Sequence, residues 1–364
     1  MSKLLFIWYK RSKGILEGGG QCSLRNFNLL CEILGADNID SFYVHDEYKK
    51  KSILDYLCGA VFFLFNYFYG LSPRRLRKLL EDAYQYDYIF IDRSVFGLIA
   101  KKLKLSGYNG KVITHFHNVE SVYFDALLPK WLPGRSVLLH AVNKNDEYAC
   151  RYSDEIIVLN NRDKSILCQK YAPSCRITSI PIALSDRFDD EQINVVQTRK
   201  CPICLFFGSY FTPNNQGVLW FVDNVLPHVN IEMKIVGKGM DKLKADSPKL
   251  QSIDVVSDAP DLSPYLNEAD IIVLPIFSGS GMKVKTCEAL MYGKNILGTK
   301  EAFEGYDLDF QKLGGLCNNA EEFILKINDF VDNPRPRFNI YARQMFVKNY
   351  SHEAVKQLFV DFLK

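Results

Sequence analysis

Twice along this chain, short apolar runs bounded by turns alternate with stretches of helical period, and a polar, acid-rich segment separates the two series. Runs that are apolar on both faces suit strands buried between helices, so the alternation predicts βαβ units built on parallel sheets. In the first series the strand candidates are Leu4 to Trp8, Ser41 to His45, Tyr88 to Asp92, Lys111 to His115, Glu155 to Leu159 and Arg176 to Ile180. After Ser185 to Lys200 the rhythm restarts with Ile203 to Gly208, Met233 to Gly237, Ile253 to Val256, Ile271 to Leu274 and Asn295 to Thr299. The expectation is an α/β protein of two doubly wound, Rossmann-like domains, 1–190 and 200–340, facing each other across a cleft. Ligands then bind where loops gather at the carboxyl ends of the strands. The final stretch, Tyr341 to Lys364, has apolar residues at helical spacing.

At 364 residues, 48% of them apolar, the chain has enough material for two buried cores and is too apolar for disorder. Lys plus Arg (45) nearly balance Asp plus Glu (42), which excludes a surface built to neutralise nucleic-acid phosphates. Ten scattered cysteines and a first strand reached within three residues, with no signal segment, predict a reducing, cytoplasmic setting. Cys201 and Cys204 have C-x-x-C spacing but find no second pair at zinc spacing, so no metal site is expected. No stretch reaches the ~18 apolar residues of a spanning helix. The nearest, Tyr56 to Leu71, is interrupted by Asn66.

Three segments carry residues suited to chemistry. Gly18, Gly19 and Gly20 stand just before a helix expected to begin near Gln21, where glycines let backbone amides approach a phosphate. The spacing is not that of a dinucleotide fingerprint, and its ribose-binding acid finds only Asp40 as a candidate. In the second segment, THFHNVESVYF, His117, Asn118 and Glu120 follow a strand end, where a neutral imidazole can bond a sugar hydroxyl. His115 reads as structural. In the third, Ile271 to Leu274 leads into a Gly/Ser loop and a helix expected from Gly281 to Tyr292. Amides at that helix start, with Lys283 and Lys285, suit a diphosphate, and Glu288 suits two vicinal ribose hydroxyls.

Over nearly its whole length the chain resembles the family-four glycosyltransferases, retaining GT-B enzymes that use nucleotide sugars. The resemblance is carried by EGGGQ at Glu17 to Gln21, HFHNVE at His115 to Glu120, LFFGSYFTPNNQGVLWFVDNVLP at Leu205 to Pro227, MKIVGKG at Met233 to Gly239 and, most specifically, GSGMKVKTCEALMYGKNILGT at Gly279 to Thr299. It implies a GT-B fold, no bound metal or other cofactor, a UDP- or GDP-linked donor sugar held mainly by the second domain, and a last helix (about 341–364) crossing back to the first. It places the ribose on Glu288, the transferred sugar at His117, and the donor phosphates or acceptor by Gly18 to Gly20. Two departures stand out. The family's first acid falls at Ser280, and the cation expected after Gly208 is replaced by Ser209 with Asn214, Asn215 and Gln216 further on. The positive charge then moves to Lys283 and Lys285, beside Gly281.

In retaining transfer the leaving phosphate can itself act as base, so no carboxylate pair of the glycosidase kind is required. Stabilising the leaving group is the larger demand, which Lys283 and Lys285 are expected to meet; His117, at the transferred sugar, and Lys283 are the expected catalytic residues. A sugar-nucleotide epimerase of the same fold and a non-catalytic partner subunit are the competing readings, the second suggested by Ser280. The acceptor expected is a glycan or a lipid-linked glycan. Tyr56 to Leu71, flanked by Lys49, Lys50 and Lys51 and by Arg74, Arg75, Arg77 and Lys78, can rest among anionic headgroups, or can equally be a core helix. On the first of these readings residues 49–78 make a peripheral contact with the inner face of the membrane; on the second they do not.

Overall fold

A computed structural model describes residues 2–11, 18–46, 61–68, 70–189 and 201–363. The chain divides into two compact units, Met1–Pro181 with Lys356–Lys364, and Ile182–Val355. Each is an α/β layer structure on one parallel six-stranded sheet, the doubly wound Rossmann-like architecture that the alternating runs predict.

The first sheet has the order β2-β1-β3-β4-β5-β6. Its strands are β1 (Leu4–Arg11), β2 (Ile39–Asp46), β3 (Tyr88–Ile91), β4 (Lys111–Phe116), β5 (Glu155–Val158) and β6 (Arg176–Ser179). β5 is buried at every position and β3 at all but Tyr88, as both-face burial requires. Its core gathers Leu5, Ile7, Ile89, Ile91, Ile99 and Leu103, with the helix Pro73–Ala83 contributing Leu76 and Leu79. That helix starts where Ser72 accepts from the Arg75 amide and Pro73 occupies the first turn.

The second sheet has the order β12-β11-β10-β7-β8-β9. It comprises β7 (Ile203–Phe207), β8 (Glu232–Gly237), β9 (Asp254–Ser257), β10 (Ile271–Leu274), β11 (Asn295–Gly298) and β12 (Gly314–Leu316). The last of these was not among the sequence candidates. The expected single C-terminal helix is three pieces: Ile340–Met345, a π-helical turn Phe346–Tyr350, and His352–Leu363. Residues from Lys356 onward belong to the first unit, where Lys356 pairs with Glu32 at 2.8 Å.

Among the described residues no helix is long and apolar enough to cross a membrane. Of the aromatic segment, residues 61–64 are helical; Phe68 and Leu71 are buried, while Val61, Leu64 and Phe65 are exposed. Arg75 is spent within the unit, its guanidinium bonding the Tyr43 carbonyl and lying over Phe42. Residues 47–60, with Lys49, Lys50 and Lys51, lie outside the described residues, as do 190–200.

Candidate active site

In the second unit the chain winds outward from β7 through β8 to β9 on one side and from β10 through β11 to β12 on the other. The reversal falls between β7 and β10, paired through Ile271 with Cys204 and Ile272 with Leu205. A crevice at the carboxyl ends of these two strands is the expected ligand position in such a sheet. Gly208 follows β7 directly. A Cβ there would stand 2.8 Å from Lys285 Nζ and 3.0 Å from Asn214 Nδ2, so the glycine lets this ammonium sit close under the turn, and a side chain would displace it. Lys285 donates to Asn214 Oδ1 at 2.5 Å, Asn214 donates in turn to the Ser209 carbonyl at 2.8 Å, and the ammonium lies 4.8 Å from the Phe206 ring centre. Burial, with Lys283 nearby, brings the Lys285 ammonium down to about 7, against the opposing charge of Glu288.

The helix beyond β10 is Val284–Met291, three residues shorter at its start than expected. Gly281 takes a left-handed φ of 59° and Lys283, at the N-cap, is extended, so neither can be helical. Glu288 therefore sits just past the first turn rather than two turns in. Lys283 is already paired: its Nζ holds Glu301 Oε1 at 2.7 Å and reaches the Gly281 and Ser280 carbonyls at 3.1 and 3.4 Å. Glu288, with its carboxyl raised by burial, has Arg187 at 3.6 Å. The structure thus brings Gly208, Ser209, Asn214 and Lys285 together, and places Lys283 in a Ser280–Gly281 loop pinned by Glu301. Neither Glu301 nor Arg187 was picked out from sequence. Glu301 follows β11 within three residues, the same strand-end position that selected Lys283.

In the first unit the winding reverses between β1 and β3. Gly18, Gly19 and Gly20 are not a loop ahead of the helix; they form the first turn of Gly18–Leu34. Arg93, just past β3, presses on Gly19 so closely that a Cβ would lie 2.3 Å from its Nη2. Beside them is a buried polar cluster around Asp92. Ser23 donates to one carboxylate oxygen, while the other meets His117 Nε2 at 3.2 Å and His115 Nδ1 at 3.8 Å. Asn26 Nδ2 lies 3.1 Å from His115 Nδ1. His115 is thus a member of this cluster and not merely a strand residue.

Burial drives the His117 imidazole down to about 4, against the pull of Asp92, so it is neutral at pH 7. Burial also pushes the Asp92 carboxyl up, but the two histidines outweigh it and hold the group below the ordinary carboxylate range. A carboxylate only accepts, so His117 gives it the Nε2 proton and keeps Nδ1 as its lone-pair nitrogen. Glu120 is buried, raised to about 7 by that burial, and stands 3.7 Å from Arg93. Asp40 lies at the other, amino end of its strand, where it accepts from the Tyr86 hydroxyl at 2.9 Å, and so is no ribose ligand at the crevice. Cys204 is buried within β7 and Cys201 rests 3.9 Å from Asn230 Oδ1. Sequence reasoning missed Asp92, Arg93 and Ser23, although Asp92 ends the apolar run YIFI just as His117 follows another.

Residues 201–333 match the model of the family Glycosyl transferases group 1. No curated protein matches the chain in sequence. Among solved structures, the sucrose-phosphate synthase of Thermosynechococcus elongatus is similar over 100% of this chain and 98% of its own, at 14% identity and a TM-score of 0.70. Anabaena Alr3699/HepE in complex with UDP-glucose is similar over 100% and 99%, at 14% identity and 0.65. The apo form of the lipopolysaccharide outer core galactosyltransferase WaaB is similar over 99% of both chains, at 15% identity and 0.67. At these identities the likeness establishes the fold, which is GT-B. With the family match across the second unit, it supports a glycosyltransferase.

Proposed function

We propose that this chain moves a sugar from a UDP- or GDP-linked donor to a glycan or lipid-linked glycan acceptor, with retention and without a metal cofactor, in polysaccharide or glycoconjugate assembly. The observation that carries the reading is Lys285, an ammonium held under the Gly208 turn at the winding reversal of the second sheet. A cation so desolvated gains strongly from an arriving diphosphate, and it offsets charge that builds on the leaving group. Glu288 takes the ribose hydroxyls, exchanging Arg187 for them. Lys283, once the diphosphate competes with Glu301, adds a second charge-assisted bond. In the first unit the neutral His117, aimed by Asp92, bonds a hydroxyl of the transferred sugar, and the leaving phosphate takes the acceptor proton. The neighbour solved with UDP-glucose supports a nucleotide-sugar donor.

The exposed Val61, Leu64 and Phe65, beside the exposed cations Arg74, Arg77 and Lys78, support peripheral contact of the first unit with an anionic membrane. Such contact suits a lipid-linked acceptor reached from the cytoplasmic side.

The test of the central reading is donor turnover without acceptor. UDP- and GDP-sugars are incubated with the protein and products are separated by chromatography. Slow release of free sugar and nucleotide diphosphate is the expected result. Interconversion of the sugar nucleotide indicates an epimerase instead, and intact nucleotide binding with no turnover under any acceptor indicates a partner subunit.

A further inference from the structure

We propose that Cys22, His115 and His117 bind a single divalent ion of the zinc class, and that this ion inhibits the protein rather than serving it. All three side chains are buried, and one donor atom from each lies within 4.8 Å of the others. The two imidazole rings stand 4.6 Å apart, centre to centre. One thiol and two imidazoles form a donor set that prefers zinc and its soft neighbours over magnesium or calcium. Bonds of about 2.3 Å to sulfur and about 2.1 Å to nitrogen set tetrahedral ligand atoms roughly 3.5 Å apart, so closure asks for shifts on the order of 1 Å.

The groups behind the donors are already in place. Asp92 accepts the Nε2 proton of His117, the outer carboxylate that zinc-bound histidines usually have, and Asn26, with Nδ2 3.1 Å from His115 Nδ1, supports that ring once its amide turns to present the oxygen to an Nδ1 proton. Binding expels one proton, that of the Cys22 thiol, to solvent, and the remaining thiolate is the ligand. Burial raises the Cys22 thiol above its ordinary range and Arg25, with Nη2 3.0 Å from Sγ, offsets only part of that, so the bond to the ion has to supply the rest. The thiolate and Asp92 supply two negative charges against the ion, while Arg25 and Arg93 oppose it, Arg93 being turned also towards Glu120 at 3.7 Å. Cations that bind by charge alone are therefore rejected, and only those that gain from sulfur and imidazole bonding remain. Three protein ligands leave a fourth position for water. Inhibition rests on the reading above that His117 touches the transferred sugar; binding does not.

Cobalt(II) is the probe. Titrated into the metal-stripped, reduced full chain, it should saturate at one equivalent with tetrahedral ligand-field bands and a thiolate-to-cobalt charge-transfer band. Zinc should displace it, and millimolar magnesium should not. Cys22→Ser should remove the charge-transfer band and weaken cobalt binding on the order of a hundredfold, while UDP calorimetry on the same variant reports that the second unit is intact. His115→Gln should shift the ligand-field bands, and Cys168→Ser, at an exposed thiol, should change neither. A charge-transfer band that survives Cys22→Ser overturns the site, as does failure of the parent to saturate at one equivalent. Saturation by zinc with full turnover overturns the inhibitory half. A protein that shows the Cys22-dependent band with cobalt yet, when metal-free, never transfers sugar supports the site and counts against the transferase reading alone.

Discussion

Lys285 makes nucleotide binding depend on pH with a definite sign. Its folded pKa is depressed to about 7, mainly by burial, so above neutrality the free protein holds a neutral amine beneath Gly208. A diphosphate favours the ammonium, and binding must then take up a proton. With a free-state value near 7, roughly half the molecules are charged at pH 7, about a tenth at pH 8 and about a hundredth at pH 9. UDP affinity should thus fall about fivefold from pH 7 to 8 and about tenfold more by pH 9, a window above the phosphate's own ionisation near ~6. Glu288, raised by burial, gains charge as pH rises and acts with the opposite sign, so Glu288→Gln should keep or steepen the slope. Arg187 and the Lys283–Glu301 pair also face this site. Calorimetry of UDP binding in buffers of different ionisation enthalpy counts the protons directly and should approach one taken up at pH 8. Lys285→Met should weaken binding at pH 7 by about 1.5–3 kcal/mol and flatten the profile. A parent whose affinity is level from pH 7 to 9, with no proton uptake, refutes the placement of the diphosphate on Lys285.

Glu301→Gln leaves the Lys283 ammonium without its carboxylate in a mostly buried setting, which should cost about 1–2 kcal/mol and lower the midpoint of thermal melting by a few degrees. UDP should raise that midpoint more in the variant than in the parent, because the diphosphate restores an anion; equal shifts show that Lys283 does not meet it. Asp92→Asn removes the carboxylate that orients His117 and should lower kcat by roughly tenfold or more while UDP affinity, measured by calorimetry, stays at the parent value. In flotation with anionic and neutral liposomes, the parent should follow anionic vesicles at low salt. A variant with Arg74, Arg77 and Lys78 changed to Gln should lose that binding. Arg75 is left alone because it holds Tyr43, and binding indifferent to lipid charge removes the membrane from the account.

Most strands were legible because burial on both faces demands unbroken apolar runs: ICLFF and IIVL are buried at every position. β12 escaped notice for the same reason, since Gly-Gly-Leu is too short and too small to register, and its pairing is supplied by β11. The helix at Val284 was placed early because composition cannot show that Gly281 is left-handed or that Lys283 is extended. Within the site, residues on one strand end were readable and their partners were not. Asn214 meets Lys285 from 71 positions away, Ser23 meets Asp92 from 69, and Asn26 meets His115 from 89. A strand-end rule finds the members of a crevice one at a time; only the winding of the sheet decides which ones meet.

The first unit is not a continuous stretch of chain, and this bears on how it is made. Its sheet is complete by Ser179, yet Lys356–Lys364 belongs to it, with Phe359 and Phe362 buried and Lys356 on Glu32. On the ribosome, at ~5–20 residues per second, roughly 10–35 s separate the emergence of the sheet from that of its last covering turn of helix. In that interval the surface those two phenylalanines seal is bare, and the second unit has time to fold first. Removing the last nine residues should then damage the half of the protein made earliest, leaving UDP binding by the other half in place.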